Sequence, residues 1–205
     1  MKLISKGRLG SIFAGSMLLL LAVQPAAAAV TKFGANLPSS GIDVSNAYQG
    51  QWCDHEIDGG SDTYGCTWIL MQAFNGGTVT APKNGTINKV RIMNGKGGSF
   101  KVVVATKNSS GQFKVTARSA KVYYSEDPNQ CDYPTYCTRR AFSITPLTIK
   151  AGQYLGIQTA KTSTLRCDSG GNKIALLTPP LAPGGSFASV DDYSGCFLMV
   201  QAVYQ

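Results

Sequence analysis

Six cysteines follow an N-terminal segment that has the pattern of a secretory signal peptide, and this combination limits the folds open to the chain. Three basic residues precede an apolar run over 12–23, and four alanines at 26–29 match a cleavage site. The apolar run is shorter than the ~20 residues that a membrane-spanning helix needs. We therefore expect residues 1–29 to be removed on export to the periplasm or the extracellular space, leaving no membrane span.

The exported part, residues 30–205, would have 176 residues and fold as a single domain. A chain of this length buries roughly 70% of the surface that its unfolded state exposes, so one core is enough. The signal segment carries 3 of the 19 basic residues, which leaves 16 basic against 11 acidic residues. The exported domain therefore has a formal net charge of +5.

The even number of cysteines in an oxidising compartment predicts disulfides rather than free thiols or zinc ligands. Proximity along the chain favours three local bridges, although other pairings are open: Cys53–Cys66, Cys131–Cys137 and Cys167–Cys196. The loop-closure relation gives roughly 2–4 kcal/mol of stabilisation for each of them. We expect the bridges to be structural and to constrain loops.

The spacing of apolar residues is that of β-strands. Polar and apolar residues alternate over 89–92, 113–118 and 142–145, while apolar residues are more continuous over 67–74, 100–105, 154–157 and 197–204. Turn sequences such as Asn75-Gly76-Gly77 separate these runs. No segment has a helical period. The pattern predicts an all-β fold, a β-sandwich of jelly-roll type with roughly eight to ten strands.

Two stretches resemble a broad and largely uncharacterised group of secreted bacterial β-sandwich proteins. The first contains Pro82-Lys83-Asn84-Gly85-Thr86-Ile87, which matches a P-x-x-G-x-I motif at the start of a strand. The second, Ile149-Lys150-Ala151-Gly152-Gln153-Tyr154-Leu155-Gly156, is similar to V-x-A-G-D-x-I-G, with Gln153 where that group tends to have Asp. The resemblance implies a jelly-roll-like sandwich and supplies no catalytic residues.

Charge is distributed unevenly along the chain. Between Asp62 and Glu126 there are nine basic residues and no acidic residue. Five of the basic residues occupy the polar phase of predicted strands, and we expect several to share one solvated sheet face: Lys89, Arg91, Lys101, Lys114 and Arg118. Such a face attracts polyanions, for example an anionic cell-wall polymer. The alternative is a solvated face whose lysines oppose edge-to-edge aggregation. We expect no nucleic-acid partner, since no recognised binding motif is present.

An acidic segment lies between Cys53 and Cys66. Oxygen-bearing side chains at alternate positions, Asp54, Glu56 and Asp58, resemble the first half of a calcium loop, and Asp62 is a further candidate ligand. Gly65 stands at position 12, where an EF-hand needs a bidentate carboxylate, so the segment is not an EF-hand. Two interpretations stay open, a weak extracellular Ca²⁺ site or a solvated acidic loop held by its disulfide.

Aromatic residues concentrate near the cysteines. Tyr133 and Tyr136 lie within the short 131–137 segment, and Trp52 and Tyr64 flank the acidic segment. A constrained loop that exposes rigid rings suits stacking against sugar rings or contact with a protein partner. The alternative is that the rings pack beneath their own loops.

Motifs for catalysis are scarce. His55 is the only imidazole, and no G-x-S-x-G sequence occurs. Hydrolysis by an unassigned carboxylate pair is the remaining enzymatic alternative. We expect a secreted, non-catalytic binding module that recognises an extracellular or cell-envelope glycan through disulfide-ordered loops. The alternatives are a structural, self-assembling extracellular protein and a secreted inhibitor or toxin that acts on a foreign protein.

Overall fold

The computed structural model describes residues 30–39, 51–52, 65–93, 98–125, 138–159, 161–162, 165–167 and 172–205. These residues contain fifteen strands and one short 3₁₀ turn at Phe74–Gly76. In chain order the strands are β1 Thr31–Gly34, β2 Gln51–Trp52, β3 Cys66–Leu70, β4 Gly85–Ile92, β5 Gly98–Lys107, β6 Phe113–Arg118, β7 Val122–Tyr124, β8 Arg140–Ile149, β9 Tyr154–Thr159, β10 Lys161–Thr162, β11 Leu165–Cys167, β12 Ile174–Leu177, β13 Asp192–Ser194, β14 Cys196–Leu198 and β15 Val200–Tyr204.

Most strands belong to two antiparallel sheets. The four-stranded sheet has the order β1-β15-β4-β8. The seven-stranded sheet has the order β13-β12-β3-β9-β5-β6, and β7 pairs with the first part of β5. Two further short pairs are β10 with β2 and β11 with β14. The predicted all-β class is confirmed.

One apolar core joins the two sheets. The four-stranded sheet contributes Phe33, Val90 and Tyr204, and the seven-stranded sheet contributes Trp68 and Val102, all almost inaccessible to solvent. Alternate side chains of a strand point to opposite faces. The residues between these core positions therefore point away from the core, and the two sheets pack as a β-sandwich.

The outer face of the seven-stranded sheet carries a second apolar cluster, which includes Ile69, Val103 and Phe113. Residues 178–191, here called the covering segment, pack Leu181, Ala188 and Val190 against it. The backbones of Phe113 and Ala188 exchange two hydrogen bonds of 2.9 and 2.8 Å. Part of this sheet is thus buried on both faces, which accounts for the continuous apolar runs of its central strands.

Two predicted strands are shorter than their apolar runs. The run over 67–74 ends as a strand at Leu70, and the backbone N–H groups of Met71 and Gln72 both donate to the carbonyl of Lys173. The run over 197–204 divides at Met199, because β14 pairs with β11 while β15 enters the four-stranded sheet. In both cases pairing partners, rather than hydrophobicity, determine where the strand ends.

The described cysteines are oxidised. Cys66 and Cys196 are disulfide-bonded, and no described cysteine is free. In the β11–β14 register Cys167 lies directly opposite Cys196. Cys53, Cys131, Cys137 and the signal segment 1–29 lie outside the described residues, so the three predicted pairings stay a prediction. Within the described ranges, no helix is long and apolar enough to cross a membrane.

The final glycine of the second sequence motif lies where three strands meet. On β9, Gly156 is opposite Ile69 of β3 and Val103 of β5. A Cβ atom added at Gly156 would collide with the backbone carbonyl of Trp68 and would come within 2.7 Å of Ile69 Cδ1 and 2.9 Å of Val103 Cγ2. Only glycine fits this central position without displacing backbone.

We predict that Gly156→Ala lowers the free energy of unfolding by about 1–3 kcal/mol, because the added methyl group overpacks the centre of the sheet. Urea denaturation of the purified protein measures the effect. Ser143→Ala, an exposed change on β8, is the control and should stay within ~0.5 kcal/mol of the parent. Equal stability of the two variants would contradict the close approach of strands at Gly156.

Candidate binding surface

A polar network interrupts the outer face of the seven-stranded sheet at the end of the covering segment. Gln158 is 7% exposed, and its Nε2 donates to Thr67 Oγ1 at 2.9 Å and to the Leu181 carbonyl at 2.6 Å. The backbone N–H of Leu181 also donates to Thr67 Oγ1, at 2.9 Å. Arg118 Nη1 donates to Gln158 Oε1 at 3.0 Å. Both ends of the buried amide are therefore satisfied, as burial requires.

Three cations and one tyrosine surround this network on the same side of the sheet. Lys101 lies directly opposite Gln158 in the β5–β9 register. Tyr123 lies opposite Ser99, two residues before Lys101, and therefore shares its face. The Tyr123 ring is 73% exposed, and Lys121 Nζ lies 5.7 Å from its centroid. We call Lys101, Arg118, Lys121 and Tyr123 the tyrosine surface.

Among the described residues, the tyrosine surface carries three cations and no carboxylate. Asp191 and Asp192 are the acidic residues within the described ranges, and they lie at the β13 edge of the same sheet. Four strand spacings separate β13 from β5, so the distance between these two strands is about 19 Å. The Debye length is about 8 Å at physiological ionic strength, so these carboxylates are largely screened from the three cations. The surface is suited to anionic groups.

The five basic residues do not all share one face, and each outer face carries two of them. Lys89 and Arg91 project from β4 on the outer face of the four-stranded sheet, whereas Lys101 and Arg118 belong to the seven-stranded sheet. Lys114 alternates with the covered Phe113 and Val115, and a register shift between β5 and β6 then puts Arg118 on the opposite face from Lys114. Strand order determines the sheet to which a polar side belongs, and the register shift in β6 interrupts the alternation between Lys114 and Arg118.

Arg140 joins the two strand ends that flank residues 126–137. Its Nη2 donates to the Ser125 carbonyl at 2.7 Å, which connects the start of β8 to the residue after β7. Its guanidinium carbon lies 5.9 Å from the Tyr124 ring centroid and 5.5 Å from that of Phe142. The segment predicted to carry exposed tyrosines is therefore attached next to Tyr123.

Several predicted site residues lie outside the described ranges, and their roles stay predictions: Tyr133, Tyr136, Tyr64, Asp54, Glu56, Asp58 and Asp62. Trp52 is described through its backbone, which pairs with Lys161. Within the described ranges no cluster of three or more His, Cys, Asp or Glu side chains could hold a metal ion. The predicted Ca²⁺ site involves other residues and is untested.

Sequence reasoning did not identify three functional candidates, Lys121, Tyr123 and Gln158. A signal for Gln158 is present, since it is a polar residue that directly follows the apolar run over 154–157. Tyr123 precedes the buried Tyr124, and only the pairing of β7 with β5 distinguishes the exposed ring from the buried one.

The chain matches no known protein family, no curated protein and no solved structure. Assignment of a role to the tyrosine surface therefore depends on its geometry and chemistry.

We predict that Thr67→Val lowers the free energy of unfolding by about 1–3 kcal/mol, because the part-buried Leu181 N–H and the buried Gln158 amide lose their shared acceptor. Urea denaturation measures the loss, and amide hydrogen exchange at Leu181 should accelerate. The control is Thr86→Val, the same substitution at an exposed position of β4, which should alter stability by less than ~0.5 kcal/mol. Unchanged exchange at Leu181 in Thr67→Val would show that the hydroxyl does not anchor the covering segment.

Proposed function

We propose that this protein is a secreted, non-catalytic binding module that recognises an anionic extracellular or cell-envelope glycan on its tyrosine surface. The observation that carries the proposal is the exposed Tyr123 ring beside three cations on one sheet face, with Arg118 oriented by a buried glutamine. Localisation outside the cytoplasm follows from the signal-peptide pattern at 1–29.

The chemistry of this surface matches a sugar polymer that carries carboxylate or phosphate groups. A tyrosine ring offers an apolar face for a sugar ring and a hydroxyl for hydrogen bonding. A guanidinium has five N–H donors in a planar fork that fits carboxylate and phosphate. Gln158 accepts from one nitrogen of Arg118, so the exposed guanidinium is positioned before a ligand arrives.

We propose that the eight central strands form a jelly roll. The pairs β1·β15, β3·β9, β4·β8 and β5·β6 are what a single long hairpin gives when it folds over onto itself. The first and third pairs lie in one sheet, and the other two lie in the second sheet. This pairing supports the jelly-roll architecture, which lectin domains also use.

The loops remain part of the proposal. We assign the three disulfides as Cys53–Cys66, Cys131–Cys137 and Cys167–Cys196, a choice supported by the oxidised Cys66 and Cys196 and by the register of Cys167. Tyr133, Tyr136, Trp52 and Tyr64 would extend the aromatic contact, and the acidic segment is the proposed Ca²⁺ site. The attachment of residues 126–137 next to Tyr123 supports this extension.

Features of the described sheet edges favour ligand binding over self-assembly. The outer edge of β6 receives backbone hydrogen bonds from the covering segment at Phe113 and Val115. Strand β8, at the edge of the four-stranded sheet, carries Pro146 within its length. Coverage by a loop and proline are devices that oppose edge-to-edge pairing.

We predict that Lys101→Gln combined with Arg118→Gln weakens binding to polygalacturonate about tenfold, that is by ~1.4 kcal/mol. Affinity should be measured at two salt concentrations, because a screened charge interaction loses strength as the Debye length falls. The double variant should have a smaller salt dependence than the parent. Lys83→Gln combined with Lys150→Gln is the control, since it removes the same charge from exposed turns elsewhere.

We predict that Tyr123→Ala weakens the same binding at both salt concentrations, because stacking is not screened by ions. The ring is 73% exposed, so its removal should leave stability within ~0.5 kcal/mol of the parent. Tyr133→Ala and Tyr136→Ala test the loop contribution. Parent-like binding by all three variants would refute the aromatic contact.

Absence of parent binding to polygalacturonate and to purified cell wall would refute the glycan proposal.

A further inference from the structure

We infer that the molecule bridges two anionic polysaccharide chains, because it carries a second basic surface on the opposite side of the sandwich. This inference depends on the proposed glycan function and extends it to a second site. The second surface consists of Lys32, Lys89 and Arg91 on the outer face of the four-stranded sheet, and we call it the β4 face. Its occupant is a second carboxylated or phosphorylated polysaccharide chain.

The three cations of the β4 face form a compact group. Lys89 and Arg91 are two residues apart on β4, which places their backbones about 7 Å apart on the same side. Lys32 of β1 and Lys89 of β4 both lie opposite Val203 of the intervening strand β15, so about 10 Å separates them. Ser143 lies opposite Lys89 on β8 and is exposed. Lys32 and Lys89 are exposed, and Arg91 is half-buried.

Each basic surface holds an arginine in the same way. On the β4 face Arg91 Nη1 donates to Gln201 Oε1 at 3.2 Å, and Gln201 Nε2 donates to the Ala35 carbonyl at 2.9 Å. Gln201 is 5% exposed, comparable to the 7% of Gln158 beneath Arg118. A buried glutamine whose amide is bonded to backbone thus orients a guanidinium on either side of the molecule. The repetition supports equivalent roles in anion binding.

The two surfaces are too far apart, and point in too different a direction, to serve one chain. They lie on the outer faces of stacked sheets whose backbones are about 10 Å apart, which already exceeds the ~8 Å Debye length. The acidic residues within the described ranges, Asp191 and Asp192, lie on neither surface. The described cations on each side are suited to a polyanion of their own. One protein molecule therefore connects two chains, and many molecules gather them into a network.

The test is light scattering from polygalacturonate mixed with protein, alongside a pull-down that measures binding alone. The parent should bind the polymer and produce strong scattering that declines when protein is in excess, since each chain is then saturated. Lys89→Gln combined with Arg91→Gln should keep polymer binding through the tyrosine surface but reduce scattering at least about tenfold, because bridging needs two sites. The Lys83→Gln and Lys150→Gln control should scatter like the parent.

The outcomes separate the two proposals. If the parent does not bind polygalacturonate or cell wall in the pull-down, the proposed function fails and bridging fails with it. If the parent binds without scattering, or if the β4-face variant scatters like the parent, bridging is overturned while the proposed function stands. Sedimentation of the protein alone completes the test. A parent dimer that the β4-face variant cannot form would attribute bridging to protein pairing and overturn the two-site inference.

Discussion

The packing of two antiparallel sheets through one apolar core determines where the polar side chains of the described strands lie. Phe33 and Tyr204 pack edge to face with ring centroids 5.4 Å apart, and Trp68 and Val102 complete the core from the opposite sheet. Because successive side chains of a strand alternate between faces, those that do not enter this core lie on an outer face, which the covering segment buries in part of the seven-stranded sheet. Lys89, Arg91, Lys101 and Arg118 lie on the outer faces because the apolar residues beside them in the same strands enter the core.

The covering segment divides the outer face of the seven-stranded sheet into an apolar and a polar part. It buries Val103 and Phe113, and where it meets Thr67 and Gln158 the backbone of Leu181 enters the polar network. The segment therefore contributes both to stability, by removing apolar surface from water, and to the site, by ordering the amide that holds Arg118. The proposed binding would therefore depend, as stability does, on one buried hydroxyl, that of Thr67.

Two buried glutamines give the surface arginines a defined orientation. A free arginine side chain has about 2 kcal/mol of rotamer entropy, and part of this is lost when a ligand immobilises it. Gln158 and Gln201 restrict Arg118 and Arg91 before any ligand arrives, which lowers the entropic cost of binding. Lysines such as Lys101 add charge without this directional constraint. The combination suits a charged polymer with repeated, spaced anionic groups.

The sequence alone determined the class of fold and the bounds of β6, but not the phase of that strand, because the register shift against β5 puts Lys114 and Arg118 on opposite faces. The alternation over 113–118 predicts β6 at its observed bounds, because the period of two is a local property of the chain. The break at Met199 was not predictable, since an apolar run is the same whether one strand or two successive strands contain it. Nor could the sequence show that Lys89 and Lys101 lie in different sheets, because both occupy the polar phase of their strands. Only the tertiary pairing of β4 with β15 and of β5 with β9 assigns these two lysines to opposite sides of the molecule. Alternation specifies a face of a strand, whereas long-range hydrogen bonding specifies the sheet that the strand joins.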